Sequence, residues 1–166
     1  EVIVSNAIGG GGNPARLVAL AAGLPETVAG LSIDRQCAGG LDALLLAKAM
    51  IQSVAAHIVV AGGVESYSRR PLRLRTFADG SPPEPYDQPP FTPWPDRDPD
   101  MATAADTLAR SRGITRDMQD AWAIHSHEKA CAAHPHTGEI TPIAGQLRDP
   151  FARHLTPALA ARAKSL

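Results

Sequence analysis

Two periodicities alternate along the first third of the chain. Residues 1–6 carry the β-branched run Val2, Ile3, Val4 and predict a strand. Gly9 to Gly12 follow as a flexible loop. Asn13-Pro14 predicts a helix start, with Asn as N-cap and Pro at the first helical position. The helix continues through Ala15, Leu17, Val18, Leu20 and Ala21 and stops at Gly23, with Pro25 just beyond. Residues 30–34 predict a second strand. Residues 39–53 predict a largely apolar helix, expected to be buried between layers. Residues 57–62 (His57, Ile58, Val59, Val60, Ala61) predict a third strand, ended by Gly62-Gly63. Strands alternating with helices imply parallel βαβ units and hence an α/β sheet.

The pattern changes after Ser68. Residues 69–100 hold nine prolines and few periodic apolar positions, so they read as a long irregular segment of the kind that forms functional loops or linkers. Two helices are expected beyond it. One covers about Met101 to Arg112 and ends at Gly113; the other starts after Thr115, an N-cap, with Asp117 in its first turn. In the second, Met118, Ala121, Trp122 and His125 recur at i, i+3, i+4 and i+7 as an amphipathic stripe.

Composition narrows the classes. The chain has 166 residues, 44% of them hydrophobic, and a formal net charge of -1, which fits a globular protein with a core and gives no basic excess for nucleic acid. The longest apolar runs are too short to span a bilayer. Two cysteines, Cys37 and Cys131, make no disulfide framework, so a reducing cytoplasm is the expected location. The chain begins at Glu1, inside what reads as a strand, and this suggests the continuation of something upstream.

Cys37 is the strongest chemical candidate. It sits between Leu31-Ser32-Ile33 and the apolar helical pattern Leu41, Leu44, Leu45, Ala49, at a strand-to-helix junction. A cysteine at a helix start faces unpaired backbone N–H groups and the positive end of the helix dipole, both of which favour the nucleophilic thiolate. Gly39 and Gly40 leave room for a substrate against the backbone. The plain alternative is a small buried hydrophobe, the commonest role of a free cysteine.

Other constellations weigh less. Gly9–Gly12 lacks the Gly-Lys-Ser/Thr of a P-loop and the third glycine and acid of a dinucleotide fingerprint, so a structural loop is preferred. His125, His127, His134 and His136, with Cys131, match no strong ligand spacing, and no metal site is expected. His125, on the apolar stripe, reads as a core histidine. A hydrolase dyad of Cys37 with a histidine has no local motif behind it. Glu65 and Ser66 could be catalytic, but a hydrogen-bonded turn after a buried strand is preferred.

Several ordered motifs together resemble one family. Asn13-Pro14-Ala15-Arg16 with Ala22-Gly23-Leu24-Pro25, Arg35-Gln36-Cys37-Ala38-Gly39-Gly40-Leu41-Asp42-Ala43, and Ala61-Gly62-Gly63-Val64-Glu65-Ser66-Tyr67-Ser68 resemble thiolase segments, the second being the nucleophile segment. Met101-Ala102-Thr103-Ala104-Ala105-Asp106 is similar to the start of the thiolase loop domain, with Asp106 where Glu is usual. Gly113 to Asp120, Ser126 to Ala130, and Glu139-Ile140-Thr141-Pro142-Ile143 are also similar.

The resemblance implies part of a thiolase-type fold of α-β-α-β-α layers, with a mainly helical inserted loop domain. Residues 1–68 would be the nucleophile-bearing part, 69–147 the loop domain over the pantetheine arm, and 148–166 a return segment. It implies an acyltransferase acting on acyl-CoA thioesters, by Claisen condensation or thiolytic cleavage, through an acyl-Cys37 intermediate. The backbone N–H of Cys37 would help form an oxyanion hole, and Met101 would line the acyl pocket. Coenzyme A thioester is then substrate, and no separate cofactor is implied. A homo-oligomer is implied, or a partner chain supplying the C-terminal half, with no nucleic acid and no membrane among the partners. Asp100 stands where relatives often have a histidine or aromatic residue, and Ala102 replaces Gly, so acyl-chain preference is open. The family's Gly-His-Pro, Asn-containing and Cys-x-Gly-Gly-Gly motifs do not occur in these residues. The chain alone is therefore expected to be inactive in condensation. The second reading is a non-catalytic thiolase-like chain that binds acyl-CoA or assembles with a partner.

Overall fold

A computed structural model describes residues 1–133, 139–148 and 150–164. They fall into two compact units, Glu1–Pro89 and Pro90–Leu166.

The first unit is built on a parallel sheet. Strands β1 (Val2–Ser5), β2 (Gly30–Ile33) and β3 (Val60–Gly63) pair in the order β2-β1-β3, with Ile3 opposite Leu31 on one side and Ala61 on the other. β1 is central and wholly buried. Its side chains alternate as strand geometry demands. Val2 and Val4 pack on Ala15 and Ala19 of helix α1 (Pro14–Ala21), while Ile3 packs on Ala43 and Ala47 of helix α2 (Gly39–Gln52). The two crossovers step from β1 to β2 and then back past β1 to β3. Because such crossovers are right-handed, the helices lie on opposite faces.

Alanines at the contact bring both helices close to the sheet. At β2, a Cβ on Gly30 would lie 2.5 Å from the backbone nitrogen of Arg16 and 2.6 Å from its Cα, so only glycine fits there. Asn13 fixes this approach. Its Oδ1 accepts the N–H of Arg16 at 3.1 Å and the hydroxyl of Ser32 at 2.7 Å, and its Nδ2 donates to the carbonyl of Gly30 at 2.8 Å. The predicted N-cap is thus also a strut between α1 and β2.

Two expectations are corrected. α2 is not buried between layers: Leu41, Leu44 and Leu45 are 62%, 55% and 54% exposed, because only Gly39, Ala43 and Ala47 face inward. The proline-rich stretch is not wholly irregular. Strands β4 (Arg73–Arg75) and β5 (Glu84–Tyr86) pair antiparallel, with Pro85 opposite Leu74. In a two-stranded ribbon both strands are edges, where proline is tolerated.

The second unit holds α3 (Met101–Ser111), α4 (Arg116–Ala132) and the short α5 (Pro157–Ala160). Both long helices start where the sequence places them, capped by Asp100 and Thr115. Arg116 pairs with Asp120 at 2.7 Å and donates to the carbonyl of Ala160 at 2.6 Å, which ties α5 to α4. The stripe on α4 is not a core face. Met118 and Trp122 are exposed, and His125 lies in solvent with Glu128 3.9 Å away rather than in a core. An amphipathic period marks a face suited to burial, and here α4 has no buried residue. No helix among the described residues is long and apolar enough to cross a membrane.

Candidate active site

In a parallel sheet the loops leaving the carboxyl ends of the strands share one edge, and ligands of open α/β sheets bind outside that edge. In the first unit this edge gathers three segments singled out from the sequence. Asn6–Gly12 follow β1, Asp34–Ala38 follow β2, and Val64–Ser66 follow β3.

Cys37 is the middle residue of a 3-10 turn, Gln36–Ala38, that leads straight into α2. It is exposed, which sets aside the buried-hydrophobe alternative for this chain. The turn is held at both ends. The N–H of Gln36 donates to Oδ1 of Asp34 at 2.7 Å, and Arg35 Nε pairs with Oδ2 of Asp42 at 2.6 Å, in the first turn of α2. The N–H of Ala38 closes the turn on the carbonyl of Arg35 at 3.1 Å. Gln36 has φ +47°, a left-handed backbone that a non-glycine residue adopts at a cost, and such strain concentrates at functional sites. No side chain caps α2.

Beneath the turn, Gly39 is buried against Ser5, the last residue of β1. A Cβ at Gly39 would lie 1.8 Å from Ser5 Oγ and 2.7 Å from Ser5 Cβ. Gly63 also faces this point, its added Cβ lying 3.9 Å from Ser5 Cβ and 3.8 Å from Gly40 Cα. The ends of β1 and β3 and the start of α2 thus meet with almost no side-chain atoms between them. Sequence reasoning missed Ser5, Asp34 and Asp42. Ser5 leaves one signal, a polar residue closing an otherwise apolar central strand.

Glu65 does not close the local turn expected from the sequence, and β3 before it is not buried; its carboxylate instead binds the loop after β1. Its carboxylate accepts from the backbone N–H groups of Ala7 and Ile8, the latter at 3.2 Å and 3.3 Å to its two oxygens, and from Asn6 Nδ2 at 3.1 Å. The glycine run beyond carries φ of +81° and +79° at Gly11 and Gly12.

The other candidates lie elsewhere. Met101 is the first residue of α3 in the second unit and is 64% exposed. Asp100 caps that helix, with its Oδ1 3.0 Å from the N–H groups of both Ala102 and Thr103. The Thr103 hydroxyl, then its N–H, hold the Asp100 carboxyl below the ordinary aspartate value of 3.8. A cleft of about 680 Å³ in this unit is lined by Ala102, Ala105, Ala109, Arg110, Arg116 and Lys164, among others. Cys131 is half-buried in α4. His134 and His136 lie outside the described residues, and among the described residues no group of three or more His, Cys, Asp or Glu side chains could hold a metal ion.

Residues 1–157 match the family described as thiolase, N-terminal domain. The chain belongs to the thiolase family. It is similar to the Bacillus subtilis (strain 168) protein named "Putative acetyl-CoA C-acetyltransferase YhfS", with 44% identity over 134 residues, covering 81% of this chain and 33% of that protein. VraB of Staphylococcus aureus (strain MRSA252), whose name carries the same activity and the same qualifier, is 39% identical over 131 residues, covering 77% and 34%. The crystal structure of the Bacillus anthracis acetyl-CoA acetyltransferase superposes with a TM-score of 0.68 at 37% identity, covering 78% of this chain and 34% of that one. This thiolase chain therefore has the α/β fold expected of it, and it spans about a third of the length of the relatives it matches.

Proposed function

We propose that this chain carries the acyl-accepting cysteine of an acyltransferase that works on acyl-CoA thioesters. The observation that carries the reading is an exposed Cys37 on a clamped turn at the carboxyl edge of the sheet, inside the segment that resembles the thiolase nucleophile. The thiolate of Cys37 attacks the thioester carbonyl. A new carbon–sulfur bond forms, the bond to the coenzyme A sulfur breaks, and coenzyme A leaves and takes up a proton. The backbone N–H of Cys37 helps to stabilise the oxyanion.

Condensation or thiolysis in the second half-reaction needs a positioned base. The histidine of the first unit, His57, precedes β3 and so belongs to the amino edge of the sheet. The four residues of β3 alone put about 13 Å between the two edges, at roughly 3.3 Å per residue. His57 therefore does not serve Cys37. The base comes from outside the first unit, and without it Cys37 accepts an acyl group but does not turn it over.

The test is incubation of the protein with acetyl-CoA, followed by peptide mass spectrometry, with Cys37→Ser as the control. Acetylation at Cys37 that vanishes in the variant is expected. Acetyl-CoA bound without acylation would instead favour the non-catalytic reading, and acetylation unchanged in Cys37→Ser would sink the assignment.

A further inference from the structure

The Glu65 carboxylate is placed to hold a loop distant in sequence. It reaches across the carboxyl edge of the sheet, 57 to 59 residues back in sequence, and takes donors from three consecutive residues, Asn6, Ala7 and Ile8. Asn6 Nδ2 also donates to the carbonyl of Val64 at 2.8 Å, and the N–H of Val64 donates to the carbonyl of Ser5 at 2.9 Å. Pairing between β1 and β3 is thereby prolonged beyond the last strand residues. Arg73 adds a tie from the β4–β5 hairpin, donating to the carbonyl of Ile8 at 3.3 Å. The residue at the start of this clasp is Ser5, whose Oγ and Cβ form the floor under Gly39. A continuous set of contacts therefore runs from Glu65 through Asn6 to Ser5, on to Gly39, and so to Cys37 two residues before it.

The geometry points to Glu65 as a positioning residue for acyl transfer to Cys37. By holding Asn6–Ile8 it fixes the height of Ser5, and with it the turn that presents the thiol to a thioester. This rests on the reading of Cys37 as the acyl acceptor. The carboxylate charge is matched to its task, because an ionised carboxylate accepts only, and all three of its partners donate. A glutamine keeps one accepting oxygen and sets its NH₂ against donors. An alanine removes the clasp.

The experiment compares wild type, Glu65→Gln and Glu65→Ala in two reactions at Cys37: alkylation by iodoacetamide, and acetylation by acetyl-CoA in a single turnover. Iodoacetamide is small and approaches from many directions. A thioester must meet the thiol in one geometry, and small misplacements there cost up to about a hundredfold. Acetylation is expected to fall at least about tenfold in Glu65→Ala and less in Glu65→Gln, while alkylation stays within about twofold of wild type. Amide exchange at Ala7 and Ile8 should accelerate in the same order. Equal acetylation in all three proteins would overturn the inference. So would a parallel loss of both reactions with a general loss of exchange protection, which marks a merely structural role. If Glu65→Ala does not fold, Glu65→Gln alone decides by the same two rates. Failure of wild type to be acetylated at Cys37 would instead remove the acyl-acceptor reading, a result distinct from either.

Discussion

Replacing Gly39 by alanine tests whether the Cys37 turn rests on Ser5. The added methyl would sit 1.8 Å from Ser5 Oγ and 2.7 Å from Ser5 Cβ. Rotating the serine moves Oγ but leaves Cβ in place, so backbone must shift by about 1 Å to restore an ordinary carbon–carbon contact of roughly 3.5–4.0 Å. Overpacking of this kind costs about 1–3 kcal/mol. Alanine returns part of that, up to about 1 kcal/mol, through its better helix propensity. The net expectation is a loss of about 1–2 kcal/mol. Gly40 is the control. It lies in the same helical turn, and a Cβ there meets nothing within 4 Å, so Gly40→Ala should gain about 0.5–1 kcal/mol. Urea unfolding at fixed slope reads both. In the double variant Ser5→Gly/Gly39→Ala the clash is removed from the other side, so the two changes should be non-additive by about 1 kcal/mol in the favourable direction. Gly39→Ala as stable as Gly40→Ala, or strict additivity with Ser5→Gly, would refute the argument. Single-turnover acetylation of Cys37 should also slow in Gly39→Ala and not in Gly40→Ala, because the shift is passed along the turn.

Asn13→Ala removes an N-cap and the strut to β2 together, so it should cost about 2 kcal/mol in urea unfolding rather than the ~1 kcal/mol of an isolated cap; a cost below about 0.5 kcal/mol would mean that the contacts to Gly30 and Ser32 contribute nothing. The lowered pKa of Asp100 gives α3 a pH dependence of stated sign. A carboxyl depressed in the folded state stabilises it fully above its ordinary value of 3.8, and the contribution is lost as pH falls through the lower folded value. Amide exchange at Ala102 and Thr103 should therefore quicken, relative to intrinsic rates, only below about that ordinary value. Asp100→Asn should abolish this acid-dependent change, since asparagine caps without titrating.

Element type was legible wherever a short-range rule had no competitor. Asn13-Pro14 and Thr115 both start helices, and Gly23 sits at φ +77° just past α1. Legibility failed where the outcome depends on what lies opposite. The apolar run of α2 predicts a helix, but not which of its residues touch the sheet. Alanine and glycine make that contact, and the leucines that dominate the pattern face outward. Trp122 and His125 on α4 show the same limit. β4 and β5 escaped because prolines mask a three-residue ribbon, whose only requirement is a partner of matching register.

For the site, the chemistry was written locally and its support was not. Cys37, the glycines after it and the strand before it are contiguous in sequence, so the turn could be read as a nucleophile's position. Ser5 and Glu65 lie 32 residues before and 28 residues after Cys37, and only the parallel order β2-β1-β3 brings their strands to one edge. That order also decides what the edge lacks. A histidine that precedes a strand is carried to the opposite end from a cysteine that follows one, whatever their distance in sequence. The topology that assembles an acyl acceptor from β1, β2 and β3 thus excludes His57 as its base. A transplanted base tests this: histidine in place of Ser66, which follows β3 at the same edge as Cys37, should speed release of the acetyl group from Cys37, whereas removal of His57 should leave that rate unchanged. Slower release on His57→Ala would contradict the placement of the two edges.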